Sequence, residues 1–215
     1  GRDYLAAVDV PASAVDSVHA AFDAGFVLPI DLVDNGALSP SGPLGGLTLP
    51  LLIETLKPDF DDPDPAAQDR AFHDAVAIAR SLVEAGTARI AAKLRAEGIV
   101  IQAIEKAGAN RVLELPMGMP FRPAIEKAGA AHLLFVVHPR EKDWCLTTIR
   151  RSDEGFEARA DLPAAWAGLT GSALEAASGI AGATFCHNGR FVAAATTREA
   201  ALAMADRAVA EALAG

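Results

Sequence analysis

The residues near Asp34 are the first in the chain whose types and spacing could do chemistry. In the segment Ile30-Asp-Leu-Val-Asp34-Asn-Gly36, Asp31 and Asp34 are three positions apart and share a face if the helix continues. Carboxylate oxygens at a helix end suit a hard divalent cation, which also needs further ligands. The local sequence favours the alternative, in which Asp34 and Asn35 end a helix and begin a turn.

His187 and Arg198 form a second candidate site, in this case for an anion. His187 precedes the hairpin sequence Asn188-Gly189, and Arg198 lies in the first turn of the last predicted helix. The N–H groups of a helix N-terminus and an arginine fork together bind phosphate or carboxylate. The alternative is a surface arginine and a histidine at the end of a strand. The remaining histidines have no ligand spacing to one another or to the cysteines: His19, His73, His132 and His138.

Composition restricts the class of protein. The chain has 215 residues and a formal net charge of −9, which argues against a surface that binds nucleic acid everywhere, although a local basic cleft stays compatible. Hydrophobic residues make up 51%, and alanine is the commonest of them, so we expect a folded, helix-rich protein. No apolar stretch reaches about 18 residues, and therefore neither a membrane span nor a signal peptide is predicted.

Motifs for several common chemistries are missing from the sequence. It contains no glycine-rich phosphate loop, nucleophile elbow or zinc signature. The two cysteines, Cys145 and Cys186, are far apart and lie in apolar runs, which favours buried free thiols and a cytoplasmic location. The segment from Gly1 to Leu5 resembles the middle of an amphipathic helix, and we expect the chain to be a piece of a longer protein.

Helical spacing dominates the first half of the chain. Apolar residues recur at helical intervals from Ser13 to Val33, with Pro29 expected to kink or split the helix. Residues 37–46 have the composition of a loop, 50–56 that of a short helix, and 58–65 that of a linker. A long helical pattern covers 66–107, and we expect two helical pieces that bend near Gly86 or Gly98.

The pattern changes after residue 108 to short strands that alternate with helices. This alternation predicts an α/β domain with a mixed sheet over residues 110–215, preceded by helical regions at 1–60 and 61–109. The capping-box sequence Thr196-Thr-Arg-Glu199 predicts the start of the last helix. The predicted strands are 111–115, 131–137, 144–149, 184–187 and 190–192, and the predicted helices are 122–128, 172–178 and 197–213.

An ordered set of residues in the C-terminal half carries a family resemblance. Its members are Trp144, Phe156-Glu-Ala-Arg159, Leu162-Pro-Ala-Ala-Trp166-Ala-Gly168-Leu169, Ser178-Gly179-Ile180, Phe185-Cys-His187, Phe191 and Thr197-Arg198-Glu199-Ala-Ala201-Leu202. This set resembles the melanocyte-proliferating-gene family of metal-dependent hydrolases. Upstream, the segment from Ile30 to Gly36 is similar to the aspartate-containing motif of that family.

This resemblance implies a DHH-type phosphoesterase, with a metal-binding N-terminal domain and a smaller substrate-binding domain. Residues 1–60 would then be a helical remnant of the first domain, 61–109 a connector and 110–215 the second domain. Asp34 would supply one ligand to Mn²⁺ or Mg²⁺, and His187 and Arg198 would bind substrate. The implied activity is 3′–5′ hydrolysis of RNA or short oligonucleotides, with the metal activating a water molecule.

Two departures from the family pattern affect this expectation. The family's histidine-rich and Asp-His-His motifs, which carry most of its metal ligands, are not found in this sequence, so we expect the fragment to be inactive alone. Some members have Gly-Gly-His where this chain has Ala193-Ala-Ala195. The alternative function is a non-catalytic α/β module for binding or assembly, which the charge of −9 favours.

Overall fold

The structure of the chain is a computed structural model that describes residues 2–7, 10–42, 45–152 and 155–214. It divides into two compact units, residues 1–94 and residues 95–215. The elements confirm an α/β protein with a mixed sheet. Among the described residues, none of the helices is long and apolar enough to cross a bilayer.

The first unit is helical. Its core is a small cluster centred on the fully buried Val18, with Leu5, Val10 and Ala91 around it. The helices that begin in this unit are α1 (Arg2–Ala7), α2 (Ala12–Phe22), α3 (Leu28–Asp34), α4 (Leu49–Glu54) and α5 (Ala67–Ala107).

The predicted disturbance at Pro29 takes the form of a π-helical segment, Asp23–Val27, between α2 and α3. Here the Leu28 N–H donates to the Asp23 carbonyl, five residues back. Proline has no N–H to donate, and its ring crowds the preceding turn, so a wider turn ahead of it lets the helical path continue. The predicted loop at 37–46 follows α3, and its residues 43 and 44 lie outside the described residues.

The expectation that the long helical pattern divides into two pieces near a glycine is wrong. Helix α5 continues from Ala67 to Ala107 without interruption. Gly86 serves packing, because a Cβ there would lie 2.8 Å from the ring of Phe22. Gly98 has open space around its Cα. Each glycine costs a helix about 1 kcal/mol relative to alanine, which the many strong helix formers around them offset.

The second unit contains a five-stranded sheet in the order β1-β2-β3-β5-β4. Strands β1 and β2 are parallel, whereas every other neighbouring pair is antiparallel. The elements of this unit are β1 (Val112–Glu114), α6 (Arg122–Lys127), β2 (Phe135–Pro139), β3 (Trp144–Thr148), α7 (Gly171–Ser178), β4 (Ala183–Cys186), β5 (Val192–Ala195) and α8 (Arg198–Ala214).

Successive side chains of the strands point to opposite faces of this sheet, and both faces are buried against helices. Val112, Phe135 and Leu146 belong to a cluster with the alanine-rich face of α8 and with α7. Leu113 and Val136 point the other way and pack with α6 and the last turns of α5. The sheet is therefore a middle layer between helices, as the alternation of strands and helices predicts.

The hairpin predicted at Asn188-Gly189 is present, but its loop is longer than a two-residue turn. The His187 N–H donates to the Val192 carbonyl at 2.9 Å and so closes the loop. A positive φ of 56° falls on Arg190, whose guanidinium donates to Asp161 at 2.7 Å. The β4–β5 pairing follows from the sequence, whereas the position of the left-handed residue depends on contacts outside the loop.

Helix α8 begins one residue later than the predicted capping box. The Thr197 hydroxyl accepts a hydrogen bond from the Ala200 N–H at 3.2 Å, so Thr197 is the N-cap. The preceding residue is held separately, because the Thr196 N–H donates to the Gly182 carbonyl at 2.8 Å. These two bonds fix the backbone just before Arg198 and so determine the position of this first residue of the helix.

Gly182 is the position at which a side chain would most disturb this helix start. Its φ is +85°, and a Cβ there would lie 2.5 Å from the Thr196 hydroxyl. We predict that Gly182→Ala lowers the free energy of unfolding by about 2–4 kcal/mol, from left-handed strain plus overpacking.

Gly129→Ala is the matched control, since Gly129 also has a positive φ of +60° but has open space around it. Gly129→Ala should lower the free energy of unfolding by the backbone strain alone, about 1–2 kcal/mol. Urea denaturation measures both variants, and equal losses would contradict the proposed close approach at Thr196.

Candidate functional site

A cavity of about 500 Å³ opens at one edge of the sheet in the second unit. Its volume falls within the range of small-molecule sites. Unlike an ordinary apolar cleft, it combines two cations, a carboxylate, two amides and an indole. The residues that line it are Ile99, Gln102, Ala103, Lys106, Ala107, Asn110, Val112, Glu114, Leu115, Pro116, Trp144 and Arg198.

Strand direction brings these side chains to one edge. Strands β1 and β5 run in the same direction, because two antiparallel steps separate β5 from β2, the parallel neighbour of β1. Their carboxyl ends therefore lie at one edge, which places Glu114 and the residues after Ala195 there. Trp144 begins the antiparallel β3 and lies at the same edge. Ligands of α/β sheets commonly bind outside the carboxyl ends of strands.

An ion pair between Arg198 and Glu114 forms one wall of the cavity. Arg198 Nε donates to one carboxylate oxygen at 2.5 Å, and Nη2 donates to the other at 2.7 Å. The pair is partly exposed, with side-chain exposures of 46% and 38% for Arg198 and Glu114. Bidentate geometry fixes the plane of the guanidinium as well as its position.

The pair accounts for the main electrostatic features of this wall. Hydrogen bonds from Arg198 hold the pKa of Glu114 below its ordinary value, against the opposing effect of partial burial. The positive charges of Arg198 and Lys106 lower that pKa further. Reciprocally, the bonds to Glu114 raise the pKa of Arg198. Glu114 is therefore a carboxylate at neutral pH and Arg198 a guanidinium.

The bidentate pair leaves part of the arginine available. Nε and one N–H of Nη2 are used by Glu114, so both N–H groups of Nη1 and the second of Nη2 form a free edge. The nearest carboxylate to Nη1 is Glu199, whose Oε1 lies 3.9 Å away, beyond hydrogen-bond distance. That edge can bind an anion while Glu114 stays in place.

Helix α5 supplies another part of the lining. Gln102 and Lys106 are one turn apart and share the face of α5 that lines the cavity. Asn110 follows the helix, and its side-chain oxygen accepts the Val112 N–H at 3.1 Å, which leaves its amide N–H groups for a ligand. The lining residues carry two positive charges, on Lys106 and Arg198, and one negative charge, on Glu114. Glu199, outside the lining, adds a second negative charge near Arg198.

Trp144 closes one side of the cavity with an aromatic surface. The indole is half-buried and packs against the core cluster on the α8 side of the sheet. Its partner on β5 is Ala195, which contributes only a methyl group. Its partner on β2 is Pro139, so Trp144 lies between a methyl group and a pyrrolidine ring in the sheet, with the core cluster behind it.

The structure separates the two residues predicted to bind substrate. Arg198 lines the cavity, whereas His187 follows β4 at the opposite end of the β4–β5 hairpin. The Gly189 N–H donates to His187 Nδ1 at 2.9 Å, and the imidazole packs on Phe191 with 4.3 Å between ring centroids. His187 has a local role in holding this loop, and its role toward substrate stays a prediction.

Asp34, the predicted metal ligand, lies in the first unit as the exposed last residue of α3. Its neighbours form a turn, in which Asn35 accepts the Ala37 N–H at 2.9 Å and also donates to Asp31 at 3.3 Å. Within the described residues, no group of three or more histidine, cysteine, aspartate or glutamate side chains is placed to hold a metal ion. These residues therefore do not form a divalent-cation site by themselves.

Several cavity residues were not found from the sequence: Gln102, Lys106, Asn110 and Glu114. Glu114 was interpreted only as part of a strand, and Lys106 only as part of a helix. Trp144 stood among the residues of the family resemblance, without a role. The one local signal for Glu114 is a charged residue that ends an apolar strand, which is where ligand-binding side chains of α/β sheets often lie.

The fold and this cavity describe an α/β protein with a ligand site at strand ends, and comparison with known proteins gives the family. The model of the MYG1 exonuclease family, described as Uncharacterised protein family (UPF0160), matches residues 1–209. The chain therefore belongs to this family, which confirms the resemblance found in the sequence.

Relatives in animals and bacteria are similar to the chain. The MYG1 exonuclease of Rattus norvegicus is 26% identical over 215 residues, which cover 93% of this chain and 56% of the relative. The MYG1 protein of Chlamydia pneumoniae is 38% identical over 106 residues, 47% of this chain and 36% of the relative. The chain thus spans about half the length of its rat relative. No solved structure matches the chain significantly.

Replacing Glu114 tests the ion pair directly. Because the folded-state pKa of Glu114 is lowered, the pair stabilises the protein above the ordinary pKa of glutamate. That stabilisation is lost as the pH falls through the lowered pKa. We therefore predict that Glu114→Gln is slightly less stable than the parent chain at pH 7 and that this difference is smaller at pH 3, below the ordinary pKa of glutamate.

Urea denaturation at the two pH values measures this difference. Glu105→Gln, at an exposed position of α5 outside the cavity lining, is the control and should lack this pH-dependent difference. A difference for Glu114→Gln that stays constant with pH would contradict the assigned pair.

Proposed function

We propose that this chain is part of a nuclease, a hydrolase of phosphodiester bonds, and that its second unit binds the substrate. The observation that carries the proposal is the cation-lined cavity at Arg198. Two cations face a common space there although the chain as a whole has a net charge of −9. Phosphate groups are the natural ligands of such a local positive potential.

Arg198 contributes by holding a phosphate oxygen with the free edge of its guanidinium. Glu114 acts as a positioning residue, because it fixes the plane in which that edge lies. Lys106, on the part of α5 that lines the cavity, supplies a second, more mobile charge. In this arrangement the protein orients the substrate backbone, and no group in the cavity is assigned to bond cleavage.

The substrate that we propose is RNA or a short oligonucleotide, degraded from its 3′ end in the cytoplasm. The family resemblance and the relatives named MYG1 exonuclease support this choice. Two free, buried cysteines are compatible with a reducing compartment. The alternative, an assembly module, is less favoured, because the two cations that line the cavity suit a ligand that carries phosphate.

For the longer protein we propose dependence on Mn²⁺ or Mg²⁺, with Asp34 as one ligand. The described residues do not complete such a site, so no step of the reaction is derived through the metal. In the same proposal, residues 1–60 are the remnant of a DHH-like metal domain, 61–109 a connector and 110–215 the substrate-binding domain. His187 is a proposed substrate contact at the far end of the β4–β5 hairpin.

Removal of Arg198 tests substrate binding. We predict that Arg198→Ala weakens binding of a short oligoribonucleotide to this chain by about tenfold or more, since a charge-assisted contact to phosphate is lost. Fluorescence anisotropy with a labelled oligoribonucleotide at low, constant salt measures the change. The melting temperature of Arg198→Ala should differ little from that of the parent chain, because the ion pair is partly exposed.

Arg140→Ala is a closely matched control. Arg140 also forms a bidentate pair, with Asp143 at 2.6 Å and 2.8 Å, at a similar exposure but outside the cavity lining. It should leave the affinity unchanged. Equal losses of affinity in the two variants would mean that only the net charge of the protein matters. That result would contradict a site at Arg198.

The activity of the chain itself gives a separate test. A metal centre for phosphodiester hydrolysis needs several ligands, and we assign only Asp34 here. We therefore predict that this chain with added Mn²⁺ does not cleave short RNA, in an assay followed by gel electrophoresis. Metal-dependent cleavage that survives repurification and is abolished by Asp34→Asn would contradict the prediction.

A further inference from the structure

We propose that the cavity at Arg198 binds one terminal nucleotide of the substrate, with its base stacked on Trp144 and its phosphate between Lys106 and Arg198. The inference rests on the proposed function and adds to it the ligand unit and the residue that contacts the base. A free nucleoside monophosphate, which is the product class of such a nuclease, should then occupy the same site.

The size and the aromatic wall of the cavity support this choice. A volume of about 500 Å³ suits one small ligand and not a folded nucleic-acid segment. Trp144 is anchored by the core cluster behind it and lies between Pro139 of β2 and Ala195 of β5. A partly buried indole that lines a cavity is a good stacking surface for any base, because every base has a π-face.

The charges support a phosphate at the other end. Glu114 occupies the Nε side of Arg198, so the free edge at Nη1 and Nη2 is the part that can meet an anion. Lys106 and Arg198 both line the cavity, and thus both cations face the same space. One phosphate placed between them would be contacted from the β5–α8 side and from α5.

The remaining polar groups fit the edge of a nucleobase or a sugar hydroxyl. The Gln102 amide has both donors and an acceptor, and Asn110 retains its amide N–H groups after its oxygen accepts the Val112 N–H. No charged side chain other than Lys106, Glu114 and Arg198 belongs to the described cavity lining. Apart from these three residues the lining is uncharged, which suits the base and sugar of a nucleotide whose phosphate contacts the two cations.

Isothermal titration of this chain with three probes tests the inference: adenosine 5′-monophosphate, ribose 5-phosphate and adenosine. The monophosphate should bind at least about fivefold more tightly than either of its parts, the lower end of the effect of base–aromatic stacking. It should also quench fluorescence from Trp144, whereas the buried Trp166 should contribute little to the change.

Variants separate the two ends of the ligand. Trp144→Ala should reduce the affinity for the monophosphate to that for ribose 5-phosphate, and Lys106→Ala should weaken both phosphate probes but not adenosine. Phe156→Ala, which removes an exposed aromatic ring outside the cavity, and Lys93→Ala, on the same helix as Lys106, are the matched controls and should have no effect. If Trp144→Ala does not fold, Trp144→Phe should keep most of the affinity and lose the fluorescence signal.

Equal affinity for ribose 5-phosphate and the monophosphate would overturn the inference, as would absence of binding at millimolar concentration. Neither result depends on catalysis, so each is distinguishable from a failure of the proposed function. If the monophosphate does not bind but Arg198→Ala still weakens oligonucleotide binding, the nucleotide pocket is wrong and the proposed function stands. If the monophosphate binds and Arg198→Ala leaves oligonucleotide binding unchanged, the reverse holds.

Discussion

The bidentate pair between Arg198 and Glu114 is the interaction on which the candidate site depends. It joins the first residue of α8 to the last residue of β1, which is a three-residue strand at the edge of the sheet. The same pair orients the free edge of the guanidinium toward the cavity. An exposed ion pair adds little to global stability, so its main consequence here is geometric. Without Glu114, Arg198 would keep its charge, but the orientation of its guanidinium would no longer be fixed.

The alanine content of the chain makes this geometry attainable. Helix α8 contacts the sheet through small side chains, of which Ala201, Ala205 and Ala208 are almost completely buried. Small residues let the helix lie close to the strands, while Phe135 and Met204 fill the remaining volume. The close approach at Gly182 and the Thr197 cap then determine where the helix begins. The site is therefore positioned by packing beneath it rather than by its own loops.

Local patterns predicted the second unit well and the first unit in part. Three local signals were sufficient to predict the elements of the second unit: short apolar runs, the Asn188-Gly189 hairpin and the helix start near Thr197. The unbroken α5 was missed, since the role of Gly86 lies in its contact with Phe22, far away in sequence. Likewise, Arg198 was found from its place at a helix start, but Glu114, Lys106 and Trp144 come from three other elements. Only the strand order brings them together, and a single sequence does not reveal that order.

Amide hydrogen exchange of this chain with a short oligoribonucleotide tests the central claim, that the cavity at the strand ends is the substrate site. We predict added protection at Leu115, at Met117 and in the first turn of α8, around the cavity lining. Protection should not be confined to the hairpin loop at 187–191, at the other end of β5. Protection of that loop alone, with the cavity amides unchanged, would contradict a substrate site at the strand ends and would instead place substrate binding near His187.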